Sequence, residues 1–262
     1  LAVTACSQQS NAPAGSQPAT NEPAASSEGT QTEEAKPFTI GIAQFVEHPA
    51  LDAAREGFIA QMTKNGFEQD KDVIYDHKSA QASMDTAISI AQKFEADKVD
   101  LILAIATPTA QAAAQTSKEI PVVFTAVTDP VEAGLVNSME KPGGNVTGTS
   151  DMNPVGEQLK LIKEINPNAA SVGIIYSSGE VNSKVQVDAA KAAAGGLGLT
   201  INEAAITSAT EVKQAAESMV GKVDAFYIPT DNLVVSSIAA VLSVAEDQKI
   251  PVIAGAENSV KS

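Results

Sequence analysis

Two hydrophobic patterns alternate along the chain from Phe38 onward. Short, nearly all-apolar runs are typical of strands covered on both faces of a sheet. They predict eight strands, at residues 38–45, 72–78, 101–106, 121–127, 171–177, 200–206, 224–229 and 251–255. Between these runs, apolar residues recur every three or four positions, which predicts helices. The clearest helical stripes run from Met84 to Phe94, from Val155 to Ile165 and from Val234 to Ala245.

Strand followed by helix, repeated along the chain, predicts parallel βαβ units and an α/β sandwich. A stretch rich in Gly, Pro, Asn and Thr, residues 141–154, separates the first four predicted strands from the last four. The halves also echo each other, because Val99-Asp100 and Val223-Asp224 each precede a strand, a polar break, a helix and an Ile-Pro-Val motif. Both motifs are common around parallel strands, so chance similarity is the alternative. Taken as a repeat, they predict two similar lobes.

The first 36 residues differ in composition from the rest. The chain opens LAVTACSQQS, in which Cys6 follows an apolar residue and two small ones, a pattern that resembles the lipobox of bacterial lipoproteins. We therefore expect residues 1–5 to be a signal-peptide remnant and Cys6 to carry a lipid anchor at the extracytoplasmic face of a bacterial membrane, rather than to be a buried thiol. Residues 7–36 contain no large apolar side chain, which predicts a flexible tether.

These features divide the chain into a lipidated Cys and tether at 6–36, a first lobe at 37–146 and a second lobe at 147–262. Composition also excludes several functions. The net charge is -15 with no Lys/Arg cluster, so we expect no nucleic-acid partner. One Cys and two His, His48 and His77, cannot form a Cys/His zinc site, and no metal or cofactor is expected. The sequence lacks a G-x-S-x-G elbow and a P-loop, which argues against an enzyme.

Polar residues end two buried strands at corresponding places in the two halves. The stretch DLILAIATPTA ends in Thr107 and Thr109, and DAFYIPTDN ends in Asp231 and Asn232. Ligands of open parallel sheets bind beyond the carboxyl ends of strands, where helix N-termini favour anions. We therefore predict a zwitterion clamp: Thr107 and Thr109 hold an anionic group, while Asp231 holds an ammonium with help from Asn232. The alternative is that these residues only cap helices.

Further candidates follow other predicted strands. Gln44 and Phe45 end the first strand, Thr128 ends the fourth, and Asn182 and Ser183 lie where a helix begins. Each has a structural alternative, since Thr128 precedes an Asp-Pro turn and Asn or Ser readily caps a helix. An aromatic ligand needs an apolar or stacking wall. The rings near strand ends are those of Phe45, Tyr176 and Tyr227, each of which is also suited to the core.

Four segments carry a family resemblance: FTIGIAQFVEHPALDAAREGF, TAVTDPVEAGLV, KPGGNVTGTSD and YSSGEVNSKVQV. The chain from Phe38 onward resembles the ABC-transporter substrate-binding lipoproteins of the tryptophan/tyrosine type, with DPVxxGLV and PGGNVTG the most specific motifs. The resemblance implies a type I periplasmic-binding-protein-like fold, with two Rossmann-like lobes and parallel sheets joined by a hinge. It implies a small solute, often an aromatic amino acid, and delivery to a membrane permease. It places ligand contacts near Gln44, Thr107 to Thr109, Thr128, Ser150, Asn182-Ser183 and Asp231-Asn232.

Proteins of that family continue past the position of Ser262, so the resemblance also implies a C-terminally truncated second lobe. We expect a monomer with a small-molecule ligand. A sugar- or nucleoside-binding or ligand-sensing lipoprotein of the same fold is the alternative function, since the aromatic ligand rests on the resemblance alone.

Overall fold

The computed structural model describes residues 36–256. The predicted signal-peptide remnant, Cys6 and nearly all of the predicted tether lie outside this range. The strands are β1 Phe38–Gln44, β2 Val73–Ser79, β3 Leu101–Ile105, β4 Val122–Val127, β5 Val146–Ser150, β6 Ser171–Ser177, β7 Thr200–Ile206, β8 Ala225–Ile228 and β9 Val252–Ala254. The helices are α1 Pro49–Lys64, α2 Met84–Asp97, α3 Thr107–Thr116, α4 Val155–Ile165, α5 Val181–Ala194, α6 Val212–Met219, α7 Asn232–Ser236 and α8 Ile238–Gln248. None of these helices is long and apolar enough to span a bilayer.

The described strands form two parallel sheets, in the orders β2-β1-β3-β4-β5 and β7-β6-β8-β9. This architecture confirms the predicted fold class of two Rossmann-like α/β lobes. Each predicted apolar run became a strand within one or two residues of its predicted ends. The runs at residues 171–177 and 200–206 match β6 and β7 to the residue.

One boundary differs from the sequence prediction. The sequence prediction places the division between the lobes at 146/147, within the stretch at 141–154 that is rich in Gly, Pro, Asn and Thr. Instead, Val146–Ser150 forms β5 and pairs with β4 as the last strand of the first sheet. The chain leaves the first sheet only after Ser150, because the Val146 side chain is buried in the first-lobe core. Val146 is the one large apolar residue between Asn145 and Ser150, which is too weak a strand signal to separate an edge strand from a linker.

The second lobe buries both faces of its sheet. Val172 and Ile174 of β6 pack in one core cluster with residues of α4 and α5. Ile175, one position further, packs in a separate cluster with residues of α6 and α8. Successive side chains of a strand point to opposite faces, so the two clusters are the two sides of one sheet. This double covering directs the carboxyl ends of the strands, rather than a face, toward the other lobe.

The third predicted helical stripe is split in two. Residues 234–245 have a continuous helical period, yet α7 ends at Ser236 and α8 begins at Ile238. Ser237 between them has φ -121° and ψ 22°, outside helical geometry. Adjacent serines weaken a helix, because their hydroxyls compete for backbone hydrogen bonds. The break leaves α7 as a single short turn whose N-terminus lies at the carboxyl end of β8.

Candidate functional site

The carboxyl ends of both sheets border a cavity between the lobes, which we call the cleft cavity. Its volume is about 110 Å³. The first lobe contributes His48, Ala50 and Leu51 at the start of α1, together with Ala126 of β4. The second lobe contributes Asn182 of α5, the Thr230–Asn232 stretch after β8, and Val235 of α7. Asp151, just after β5, and Ala256 complete the wall. This is where ligands of open parallel sheets are expected to bind.

Asp231 is fully buried in the second-lobe wall. Its Oδ1 accepts a hydrogen bond from the Val234 amide at 2.8 Å. Asp231 therefore caps α7, which was the alternative to a role in ligand binding. Its Oδ2 accepts from the Ser177 amide at 2.5 Å and from the Ser183 hydroxyl at 2.6 Å. These contacts fix the carboxylate at the edge of the cleft cavity. The carboxylate thus caps the helix and lines the cavity at once, so the two interpretations are compatible.

Glu180 is a second buried acid beside Asp231, and sequence reasoning did not single it out. Its side chain is 4% exposed. It accepts hydrogen bonds from the side-chain amides of Asn182 at 3.0 Å and Asn232 at 2.6 Å. It also accepts from the backbone amides of Asn232 at 3.2 Å and Leu233 at 3.1 Å. The position ends a glycine-containing turn after β6, and nothing in the local pattern distinguishes it from an exposed loop acid.

The two acids lack a cationic partner among the described residues, where every ion pair involves other groups. Burial raises the pKa of Glu180 to about 7, and the neighbouring Asp231 carboxylate adds to this effect. Burial also raises the pKa of Asp231. Buried carboxylates normally have a paired cation, because the desolvation of an unpaired charge is costly. A site with this arrangement gains stability from a cationic group that enters the cleft cavity.

The titration of Glu180 gives a testable pH dependence. Its pKa rises from 4.5 to about 7 on folding, so the folded protein binds the extra proton between these values. The free energy of unfolding is therefore expected to decrease as pH rises through this window, by on the order of 3 kcal/mol. Urea denaturation of the ligand-free protein at about pH 5 and about pH 8, alongside Glu180→Gln, measures this. The difference in the free energy of unfolding between the wild type and Glu180→Gln should be smaller at the higher pH.

Two histidines give the opposite dependence of stability on pH. Burial lowers the pKa of both His48 and His77, so each stabilises the folded state as pH rises. Both are present in the wild type and in Glu180→Gln, and their contributions cancel in the difference. Parallel stability curves for the two proteins would contradict the assignment to Glu180.

The first-lobe wall presents the N-terminus of α1 to the cleft cavity. His48 is the N-cap, Pro49 follows it, and no side chain caps the helix. The Nδ1 atom of His48 is buried and has no hydrogen-bond partner among the described residues. Pro49 has no N–H, and the Leu51 and Asp52 amides both donate to the His48 backbone oxygen, at 3.1 and 3.0 Å. The feature of α1 that favours an anion is therefore the partial positive charge of its N-terminus. The cavity therefore has a helix N-terminus on one side and a carboxylate on the other.

The lobes are joined behind the cavity by the side chains of Thr128, Thr230 and Gln186, the last of which lies 3.5 Å from the Thr128 hydroxyl. Gln186 of α5 is fully buried and donates to the Thr230 hydroxyl at 2.6 Å. The hydroxyls of Thr128, after β4, and Thr230 lie 3.4 Å apart across the lobes. The Ser150 hydroxyl donates to the Thr128 backbone oxygen at 2.7 Å. Thr128 and Ser150 therefore lie in the crossover region, beside the cavity rather than in its wall.

The predicted site residues fall into three groups. Asn182, Asp231 and Asn232 line the cleft cavity, and Ser183 holds the Asp231 carboxylate. Phe45 lines a neighbouring cavity of about 190 Å³ that Glu180 also borders. The remaining five line none of the described cavities: Gln44, Thr107, Thr109, Thr128 and Ser150.

The predicted anion half of the clamp is placed differently in the structure. The Thr109 hydroxyl donates to the backbone oxygens of Ile105 and Ala106, at 2.7 and 2.9 Å, so its hydrogen is already used. The Gln44 amide contacts Asp52 at 2.8 Å and Arg55 at 2.8 Å, within the first lobe. The Thr107 hydroxyl is buried without a partner among the described residues. The helix start that reaches the cavity is that of α1, not α3.

Two alanines at the carboxyl ends of strands have strained backbones. Ala106, before α3, has φ 85° and ψ 154°, and Ala126, in the cavity wall, has φ 55°. Such conformations cost about 1–3 kcal/mol for a residue with a Cβ, and they cluster at functional sites. At Ala126 the strain accompanies a shift of the β4–β5 register between Phe124 and Val127. The bend redirects the end of β4 into the cleft.

No Phe or Tyr ring lines the cleft cavity among the described residues. Tyr227 is a core residue whose hydroxyl donates to Gln158 at 2.7 Å, and Tyr176 packs against the same cluster. The apolar wall consists of small or medium side chains, Ala50, Leu51, Ala126 and Val235.

Asp151 is water-accessible at the crossover, yet the surrounding protein raises the pKa of its carboxyl by desolvation. The sequence prediction missed both Asp151 and Gln186. Asp151 follows β5, a strand with few apolar residues, and Gln186 lies within α5 rather than at a strand end.

Two α/β lobes with a polar cavity at their facing strand ends define a two-lobed solute-binding protein. Comparison with known proteins gives the family. Residues 39–262 match the model of the ABC transporter substrate-binding protein family, and the chain belongs to that family.

Similar proteins agree with this assignment. A tyrosine-binding protein of Clostridioides difficile (strain R20291) is 50% identical over 238 residues, covering 91% of this chain and 69% of the relative. The ABC domain from Streptococcus pneumonia, solved in complex with L-Trp, is 38% identical with a TM-score of 0.83, covering 86% of this chain and 76% of the other. The ligand-free, open structure of a Clostridium difficile substrate-binding protein with adhesive properties is 52% identical with a TM-score of 0.61, covering 85% and 76%.

Proposed function

We propose that this protein binds an α-amino acid, of aromatic type, in the cleft cavity and delivers it to a membrane permease. The observation that carries the proposal is a pair of buried acids without a cationic partner among the described residues: Asp231 lines the cleft cavity, and Glu180 is hydrogen-bonded to the cavity residues Asn182 and Asn232. An amino acid supplies the missing cation through its ammonium group. Its carboxylate faces the N-terminus of α1, where His48 has a free ring nitrogen. The clamp predicted from sequence is kept, with α1 in place of Thr107 and Thr109.

The aromatic side chain is supported by the relatives and by the size of the lining residues. The similar proteins bind tyrosine or were solved with L-Trp. In the cavity wall, Ala50 and Ala126 leave room beside the clamp that larger side chains would fill. Phe45, Met84 and Leu233 line the adjoining cavity on the other side of Glu180. Apolar surface of this kind suits a ring, while the charged atoms stay at the clamp.

Lobe closure is part of the proposed mechanism. The chain superposes better on the L-Trp complex, at 38% identity, than on the open ligand-free structure, at 52% identity. Higher identity normally favours closer superposition, so the difference supports a closed arrangement of the lobes here. A ligand that touches both lobes stabilises this arrangement over an open one by its differential affinity. Contacts such as Thr128 to Thr230 then form only on closure.

We also propose that Cys6 is lipidated and that residues 7–36 tether the lobes to the extracytoplasmic face of the membrane. The lipobox-like pattern and the polar composition of this segment support the proposal. Two acyl chains supply a stable anchor at about 0.8 kcal/mol per buried methylene. A tethered monomer remains free to rotate and present its closed cleft to a permease.

Isothermal titration with matched ligands tests the proposed function. L-tyrosine and L-tryptophan are expected to bind with roughly micromolar affinity. Tyramine, which lacks the carboxylate, and 3-(4-hydroxyphenyl)propionate, which lacks the ammonium, should bind at least about 100-fold more weakly. D-glucose and adenosine serve as ligands of the alternative class. Tight binding of either one, or equal affinity for tyrosine and its truncated analogues, would overturn the proposal.

A further inference from the structure

Glu180 has an unusual set of partners for a buried acid. Its carboxylate accepts four N–H groups, and all of them come from the two asparagines of the cavity wall and the residue after the second. Asn182 lies at the start of α5 and Asn232 at the start of α7. The acid therefore joins two helix starts that border the cleft cavity. The four contacts lie within hydrogen-bonding distance, so neither amide is free to rotate.

The direction of the two amides follows from these contacts. Both give their NH₂ group to Glu180, and Asn182 gives a second hydrogen to the Thr230 backbone oxygen at 3.0 Å. Their carbonyl oxygens must then point away from Glu180. The Asn182 Oδ1 atom is buried and has no partner among the described residues. The side chain of Asn232 lies beside His48 of the first lobe. An unpartnered buried acceptor at a cavity indicates a missing donor.

We infer that Glu180 is a positioning residue, which holds the NH₂ groups of Asn182 and Asn232 so that the cleft cavity presents only acceptors to a primary ammonium group. The inference rests on the proposed function and deepens it. A primary ammonium has three N–H donors and no acceptor. The Asp231 carboxylate and the Asn182 oxygen match this set. An N-methylated amino acid has fewer donors and is disfavoured by the same wall.

The arrangement depends on the ionised form of Glu180, because a carboxylate only accepts hydrogen bonds. A glutamine at position 180 brings an NH₂ group among four donors. One asparagine amide must then rotate to offer its oxygen. Asn182 keeps its second anchor at the Thr230 oxygen, so Asn232 is the amide expected to rotate. Its NH₂ group then faces the cavity and opposes a bound ammonium.

The test compares Glu180→Gln and Glu180→Asp with the wild type, using L-tyrosine and 3-(4-hydroxyphenyl)propionate as probes. Glu180→Gln is expected to weaken tyrosine binding by about 10- to 100-fold while changing the affinity for the deaminated analogue little. A merely structural role would weaken both ligands equally. Glu180→Asp keeps a carboxylate and should restore part of the preference for tyrosine. Glu203→Gln removes an exposed glutamate paired with Lys191 and should leave both affinities unchanged.

A second measurement does not depend on any ligand. In NMR spectra of the ligand-free protein, the side-chain NH₂ signals of Asn182 and Asn232 should show hydrogen bonding to a carboxylate. In Glu180→Gln the Asn232 signals should shift strongly, and those of Asn182 much less. An unchanged tyrosine preference with unshifted Asn232 signals would overturn the positioning role. A wild type that binds none of the amino acids would instead overturn the proposed function, while the NMR measurement still reports on the amides.

Discussion

Asp231→Asn is expected to raise the Kd for L-tyrosine at least about 100-fold, because a bound ammonium then loses its carboxylate in a buried site. Asparagine is chosen because it caps helices nearly as well as aspartate, which preserves the start of α7. The change still disturbs the contacts of Oδ2 with the Ser177 amide and the Ser183 hydroxyl. Some loss of stability is therefore expected together with the loss of affinity, and the two effects need to be separated.

The chain offers a matched control on the same strand. Asp224 precedes β8 as Asp231 follows it, and its Oδ2 accepts from the Ala170 and Ser171 amides at 2.8 and 2.9 Å and from the Ser171 hydroxyl at 2.8 Å. Asp224→Asn thus disturbs a similar set of hydrogen bonds at the strand end remote from the cleft. It should lower stability but leave the Kd unchanged.

Isothermal titration and urea denaturation of both variants separate the two effects. If both variants lose affinity equally, the effect of Asp231 is indirect. If Asp231→Asn binds tyrosine as tightly as the wild type, the Asp231 carboxylate does not bind the ammonium group.

Gly148→Ala is expected to destabilise the protein by about 3 kcal/mol or more. Gly148 lies in β5, where an added Cβ would be 2.1 Å from the Phe124 backbone oxygen and 2.6 Å from the Phe124 ring. A backbone oxygen cannot yield as a flexible side chain does, so β4 and β5 must separate. The strand leads directly to Ser150 and Asp151, and the change should therefore also weaken ligand binding.

Gly144→Ala is the control for this prediction, because a Cβ at Gly144 has no atom within 4 Å. It should change the free energy of unfolding by no more than about 0.5 kcal/mol. Urea denaturation curves of the two variants give the comparison. A loss below about 1 kcal/mol in Gly148→Ala would show that β5 does not pack tightly on Phe124.

Much of the candidate site could be predicted from the residues that end strands and begin helices. Asn182, Asp231 and Asn232 were predicted because polar residues where a buried strand ends and a helix begins lie at the ligand edge of a parallel sheet. The same reasoning selected Thr107 and Thr109, which occupy an equivalent place after β3. It could not reveal that the Thr109 hydroxyl turns back to the backbone just before its helix. Capping residues and ligand-binding residues share the same chemistry, and only the contacts distinguish them.

The sequence by itself determined the repeating strand and helix pattern, the division into two lobes and the identity of the acid at the end of β8. These follow from local periodicity, because apolar runs must be buried on both faces and caps are chosen within one turn of a helix. Only the tertiary structure decided that α1 rather than α3 faces Asp231, and that Glu180 holds Asn182 and Asn232. The contact of Glu180 with Asn232 joins residues 52 positions apart, and α1 faces Asp231 across two lobes. Their geometry depends on how two sheets meet, which no local pattern records.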